Sequence, residues 1–308
     1  MLYLTYPRTK GASSGAESAA FDDVLDAAFP WEQGTVFMLR AYFDASQRNS
    51  GVFSVAGVAF GVDRAKKADS AWRAAFDGRR LHMADLHARK GEFDGISLED
   101  ADRYCRSAVA IINRFASFVV AVSCDIEEVN RLRPSGPPFD AHDIMNSHRS
   151  AYNSCLHWIM TLLGGTIGRD DQQRVQYWFE LGDEFQGASR RFLADINEPH
   201  MEKLRRSYCY NSDAFVSKAD APLFDAADFV AWEWGKHVDR LRAGQHVRPS
   251  LIALMGDSCI ADGKPYHRSS HRAAIHTTGE PLAKFFRKIA ALIVARSVEE
   301  VDAAIKMD

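Results

Sequence analysis

Residues Phe37–Gly61, FMLRAYFDASQRNSGVFSVAGVAFG, decide how the rest of the chain is read. Two apolar runs, 35–44 and 52–61, alternate loosely and are rich in Val, Phe and Ala. Between them Gln47-Arg48-Asn49-Ser50-Gly51 supplies turn chemistry, so the stretch predicts a β-hairpin. The first run closes on Asp44. A buried ionised aspartate costs several kcal/mol unless it is paired, hydrogen-bonded or bound to a metal. Some other part of the chain must therefore face Asp44.

Working outward, the pattern after Gly61 turns helical through DRAKKADSAWRAAF, and RRLHMADLHARKGEFDG then reads as an irregular connection carrying His82, Asp85 and His87. The spacing of Ser97 and Asp100 predicts a capping box opening a helix to about Ala116, and SFVVAVSC predicts a buried third strand ending near Asp125. RLRPSGPPFD is a proline-rich loop, and DAHDIMNSHRSAYNSCLHWIMTLLGG beyond it predicts a long core helix stopped by Gly164-Gly165. RVQYWFELGDE predicts a strand ending in Glu180, with Gly182 and Asp183 in the turn. A helix over about 187–206 and a short strand near 214–217 lead to PLFDAADFVAWEWGKHVDRL, where Pro222 opens a helix bearing Asp225 and Asp228. The tail reads as helical and basic, and no internal repeat is visible. This succession predicts an α/β fold whose mixed sheet, antiparallel at its N-terminal part and parallel beyond, is flanked by helices.

The 308 residues, 46% hydrophobic and 26% charged, suffice for a substantial core in one elaborated domain or two. The expected organisation is an N-terminal arm over 1–34, a main domain over 35–245 with an insertion at about 62–98, and a basic helical extension over 246–308 packed on the same domain. The formal charge of −3 excludes a uniformly cationic surface, so any nucleic-acid contact needs a local patch. Five widely spaced cysteines without a C-x-x-C pair read as reduced, mostly core thiols. The N-terminal apolar start is too short for a signal peptide, and the runs around Val119 and Leu292 fall short of the ~18 residues that span a bilayer. A cytoplasmic location without membrane association is expected.

An acid on the first strand, another at the end of the fourth and one or two on a late helix is the arrangement of ribonuclease-H-like folds. Asp44, Glu180, Asp225 and Asp228 supply it here. Convergent carboxylates suit Mg²⁺ or Mn²⁺, and two such ions about 3.5–4 Å apart can drive phosphodiester hydrolysis. Asp225 and Asp228, three apart, share a helix face. Asp183 reads equally as an outer metal ligand or a turn residue. Each acid also has a simpler role: Asp44 stabilising its turn, Glu180 pairing with Arg174 or Arg191, Asp225 sitting at the positive end of a helix dipole. The spacing of His82, Asp85 and His87 matches no zinc signature, and His82 reads as a cleft-edge substrate contact or proton carrier.

Four segments together resemble the DUF3800 group of bacterial and phage proteins, which is similar to ribonuclease-H-like, RuvC-related nucleases. They are YFDAS for the group's opening Asp-Glu-Ser, HMADLHARKGEF for its His-Met-Thr-Asp segment, WFELGD for its Phe-Glu-x-Gly-Asp strand and LFDAADFVAW for its Leu-Gln-x-Ala-Asp helix. The chain departs from the group at Ala45, where the group carries Glu, and at Asp225, where it carries Gln.

The resemblance implies a metal-dependent nuclease using Mg²⁺ or Mn²⁺ at Asp44, Glu180, Asp228, Asp225 and Asp183, with His82 assisting. Two alternatives stand beside it: a catalytically impaired nucleic-acid- or partner-binding subunit, favoured by Ala45, and a hydrolase of small phosphorylated molecules. Between 236 and 288 basic residues outnumber acids, and Lys264, Arg268, His271 and Arg272 are the candidate nucleic-acid contacts. Trp178, Trp232 and Trp234 read as core rather than as stacking platforms. The partners implied are nucleic acid of unspecified strand type, with a second copy of the chain or a complex partner as a further candidate.

Overall fold

Among the described residues the hairpin forms at the centre of a seven-stranded sheet. The computed structural model describes residues 37–132, 147–167, 173–256, 266–268, 272–294 and 297–306. In chain order these form β1 (Phe37–Gln47), β2 (Val52–Gly61), α1 (Val62–Ala75), α2 (Met83–Ala88), α3 (Leu98–Phe115), β3 (Phe118–Asp125), α4 (Ile126–Leu132) and α5 (Ser147–Ile167). There follow β4 (Gln173–Glu180), α6 (Gln186–Ile196), α7 (Glu202–Ser207), β5 (Tyr210–Val216), α8 (Phe224–Arg242), α9 (Pro249–Met255), β6 (Tyr266–Arg268), β7 (Arg272–Thr277), α10 (Gly279–Val294) and α11 (Val298–Ile305). β1, β2 and β3 pair antiparallel, β4 with β5 and β3 with β7 run parallel, and β6 returns antiparallel on β7.

Several boundaries differ from the sequence reading, each for a local reason. β1 does not stop at Asp44 but runs on to Gln47, because Asp44, Ala45, Ser46 and Gln47 all find partners on β2. The cap on α3 forms as the spacing predicts, Ser97 Oγ accepting from the Asp100 amide at 3.0 Å. The helix expected over 187–206 is broken into α6 and α7 around a 3₁₀ turn at Pro199–Met201, since proline cannot donate within a helix. The tail is not wholly helical: its β6 and β7 extend the sheet beyond β3. The N-terminal arm, most of RLRPSGPPFD and the start of DAHDIMNSHRS lie outside the described residues.

Alternation along the strands divides two layers. Phe43 stacks on Tyr177 and Phe179 and shares one hydrophobic core with Leu156, Ile159 and Leu163 of α5. On the other face Tyr42 meets Phe60, Trp178 and Phe224, and α8 lies across it. Ser54 on β2 donates to Ala231 O of α8 at 2.8 Å, and Trp234 Nε1 donates to Ser123 Oγ of β3 at 3.0 Å. A β-carbon at Gly235 would come within 2.9 Å of Ser54 Oγ, so glycine is what lets α8 lie this close to β2. Trp178, Trp232 and Trp234 are all buried. The thiols of Cys124, Cys155 and Cys209 are buried.

Gly164 and Gly165 do not stop α5, which continues to Ile167. A β-carbon on Gly164 would lie 1.8 Å from the carbonyl oxygen of Ser207, whereas one on Gly165 meets nothing within 4 Å. The first glycine permits close approach of α7; the second carries only the helix penalty of a residue without a β-carbon. Gly164→Ala should therefore lower stability by about 2–3 kcal/mol, the cost of overpacking. Gly165→Ala should leave it unchanged or raise it by about 0.5–1 kcal/mol. Chemical denaturation of the two variants checks the pair, and equal effects would contradict the packing assigned to Gly164.

Candidate functional site: a carboxylate pocket closed by a lysine

The chain leaves β1 for β2 and β3 on one side and returns to β4 and β5 on the other, so the order reverses between β1 and β4. In open α/β sheets such a reversal opens a crevice at the carboxyl ends of the strands. Asp44 lies on β1 and Glu180 closes β4. Asp44 shares the α8 face with Tyr42, and Glu180 shares it with Trp178, which packs on Tyr42.

What faces Asp44 is Lys218, two residues beyond the end of β5. Its Nζ is 2.7 Å from Asp44 Oδ2 and 3.0 Å from Glu180 Oε2, which puts these two carboxylate oxygens within about 6 Å of each other. Asp44 Oδ1 also accepts from the amide of Ala45 at 2.8 Å. The Glu180 partner is thus this lysine. Burial works against the charge on Lys218, but Asp44, Asp228 and Glu180 more than offset it and its pKa is raised.

Asp228 enters from α8, 4% exposed, its Oδ2 accepting from the amide of Met83 at 2.9 Å. Burial, then the charge of Asp44, pushes its pKa up to about 7. Asp183, in the turn after β4, is pushed up to about 6 by burial and then by Asp44 and Glu180. Burial likewise raises Asp44, with Lys218 acting against it. Acids from β1, β4, the following turn and α8 thus lie within one another's field, with Lys218 bridging Asp44 and Glu180.

Asp225 does not join this group. Arg80 holds it through two contacts, Nη2 to Oδ1 at 2.6 Å and Nε to Oδ2 at 3.1 Å, and the Leu81 amide adds a third at 2.9 Å. The two helix aspartates thus fasten the 80–83 segment by alternate amides, and Asp225 is spent on that anchor. His82, between them, is exposed; its Nδ1 lies 3.0 Å from Asp85 Oδ2, and its charge lowers the pKa of Asp228. His87 turns instead to Trp232, with ring centroids 4.9 Å apart, so the three residues of the zinc alternative do not converge.

Ala45 points to the opposite face from Asp44 and packs against the hydrophobic core. A carboxylate there would add nothing to this pocket. Of the expected nucleic-acid contacts, Lys264, His271 and the Arg268 side chain lie outside the described residues. Arg272 is half-buried and its Nε donates to Leu254 O at 3.3 Å.

Among the described residues no three acidic, histidine or cysteine side chains are set around one point as ligands of an ion. The donor chemistry, acids alone, suits a hard divalent cation, while the present geometry suits the Lys218 ammonium. Sequence reading missed Lys218. Its signal is a lone lysine just past a strand whose neighbours also end in charge, and only the strand order reveals that these ends are adjacent. Among the described residues no helix is long and apolar enough to cross a membrane.

The raised pKa of Asp228 fixes the sign of a pH effect. Between the ordinary carboxylate value of 3.8 and about 7 the folded protein holds a proton that the unfolded chain has lost, so stability falls as pH rises through that window. Asp228→Asn keeps an oxygen for the Met83 amide and removes the charge. In metal-free buffer it should stabilise the protein at pH 8, by a few kcal/mol at about 1.4 kcal/mol per pKa unit, and the gain should vanish towards pH 4. Thermal melts across that range check this; a gain independent of pH would refute the crowding of charge described above. No protein-family model matches the chain and no curated protein matches it.

Proposed function

We propose that the chain is a metal-dependent phosphodiester hydrolase of ribonuclease-H-like architecture, akin to the DUF3800 group, acting on nucleic acid. The observation that carries this reading is that Asp44 and Glu180, from separate strands, share Lys218, while Asp228 lies in the field of Asp44 and Asp183 in that of Asp44 and Glu180. A structural ion pair needs one carboxylate for its lysine, and the remaining charge here is held at a cost in stability. The order of acids along the chain, on the first strand, at the end of the fourth and on a late helix, supports the same reading.

In this proposal Asp44, Glu180 and Asp228 hold Mg²⁺ or Mn²⁺, with Asp183 beside them. The ion would lower the pKa of a water and offset charge on the phosphoryl oxygens. Lys218 supplies a second positive charge from the chain itself, so one divalent ion suffices where a purely carboxylate pocket would need two. His82 stands at the rim with Nδ1 held by Asp85, leaving its other nitrogen for a proton to the departing oxygen. The non-catalytic alternative rested on Ala45, and it loses that support because residue 45 faces away from the pocket.

Incubation of the purified protein with single-stranded, duplex and hybrid oligonucleotides in Mn²⁺ should give cleavage that EDTA abolishes. Asp44→Asn and Asp228→Asn should each reduce it at least ~100-fold, the scale of losing a group that binds the transition state. Calorimetry should find one Mn²⁺ per chain, and Lys218→Met should admit a second. Cleavage surviving both carboxamide variants, or no Mn²⁺ binding at millimolar ion, would overturn the assignment.

A further inference from the structure

Beside the carboxylate pocket the same helix carries a feature of opposite sign. Trp232 lies one turn beyond Asp228 on α8 and is buried between two guanidinium groups and an imidazole drawn from three other segments. The Cζ of Arg48, in the β1–β2 turn, is 5.1 Å from its ring centroid, and that of Arg248, after α8, is 5.2 Å away. His87 of α2 packs on the same ring at 4.9 Å. Lys236 follows one turn further along α8.

We propose that Arg48, His87, Lys236 and Arg248, arranged round Trp232, form the subsite that holds the phosphodiester backbone of a nucleic acid alongside the carboxylate pocket. The assignment deepens the hydrolase reading and rests on it for the identity of the polyanion. α2 and α8 run together from the pocket to this cluster: Met83 bonds Asp228 at one end, and His87 meets Trp232 one turn later on both helices. At 1.5 Å per residue Trp232 and Lys236 lie about 6 and 12 Å along the axis from Asp228, and the farther distance is about three nucleotides at 3.4 Å each.

The charges do not cancel. Arg48 is paired with Asp239 at 3.1 Å, and Arg248 with the fully buried Glu233 at 3.0 Å. These two acids fix the two guanidinium groups over the indole, which orients them as a rigid fork suits phosphate. Among the described residues Lys236 makes no ion pair; burial and then Arg48 lower its pKa, Asp239 acts the other way, and Arg248 and Arg240 add to the lowering. His87 is exposed. Its pKa is lowered by burial of part of the ring and then by Arg248, Lys236 and Arg48, the cations that converge there. An anion bound among them would reverse that effect and raise it.

The test is binding in EDTA, which separates this subsite from cleavage. Fluorescence anisotropy with labelled 20-mers of single-stranded DNA, single-stranded RNA and duplex DNA should show salt-dependent binding of at least one by the full chain. Lys236→Glu should weaken that affinity tenfold or more. Lys236→Gln should reduce the slope of log affinity against log salt by about 0.7–0.9, the loss of one phosphate contact. Lys306→Glu, the same charge change just after α11, should alter neither. The imidazole of His87, followed by NMR, should titrate at higher pH when the oligonucleotide is bound. Affinity within twofold of wild type in both Lys236 variants, a His87 titration that ignores the oligonucleotide, or no binding of any probe would overturn the proposal. Binding through Lys236 without cleavage in Mn²⁺ would leave this subsite standing and remove the hydrolase reading. Cleavage with normal affinity in both Lys236 variants would do the reverse.

Discussion

The contact on which the site depends is the Lys218 ammonium set between Asp44 and Glu180. Two carboxylates at the ends of adjacent core strands repel each other, and each loses much of its hydration. Without a cation between them, one would have to take up a proton or β1 and β4 would separate at this end. Lys218 meets the requirement from β5, the outer neighbour of β4, so the parallel pair β4–β5 delivers the charge that the β1–β4 junction needs. Asp228 and Asp183 sit within the same field, and burial, followed by the charge of Asp44 on both and of Glu180 on Asp183, raises their pKa values.

The α8 helix gives the site its second wall. It is pressed against β2 at Gly235 and tied to the sheet by Ser54 and Ser123, a lateral fit set by small and hydroxylated residues rather than by bulk. Its first turn performs a different task from its second. Asp225 is neutralised by Arg80 and anchors the insertion, whereas Asp228 gives one oxygen to the Met83 amide and keeps its charge near Asp44. Two aspartates three residues apart thus share a helix face and divide the labour, one holding the rim in place and one facing the pocket.

How much of this could be read in the sequence follows from the range of the interactions. The hairpin, the cap at Ser97, the strand ending at Glu180 and the helix after Pro222 are written in local periodicity and turn chemistry, and each formed within a few residues of its expected bounds. Gly164-Gly165 read as a stop because helix propensity is local, while the reason for Gly164 is the Ser207 carbonyl on another helix. β6 and β7 were hidden among basic residues, since edge positions need less of the apolar alternation that marks a core strand. The ion pairs were the least legible part. Asp225 and Asp228 look equivalent in the motif, and only the folded insertion shows that Arg80 takes one of them.

Charge in the tail illustrates the same point in reverse. A run of basic residues between 236 and 288 is conspicuous in one dimension, yet Arg242 is engaged by Asp125 at 2.6 Å, and Arg272 is half-buried beside Leu254. The cluster that does assemble draws on residues 48, 87, 236 and 248, two of which lie outside that run. Three of them meet at a single indole, Trp232, which two guanidinium groups and an imidazole approach within about 5 Å. The acidic and basic halves of the surface are thereby set along one rigid helix, with Asp228 and Lys236 two turns apart. Their spacing is maintained by the backbone of α8 rather than by any flexible loop.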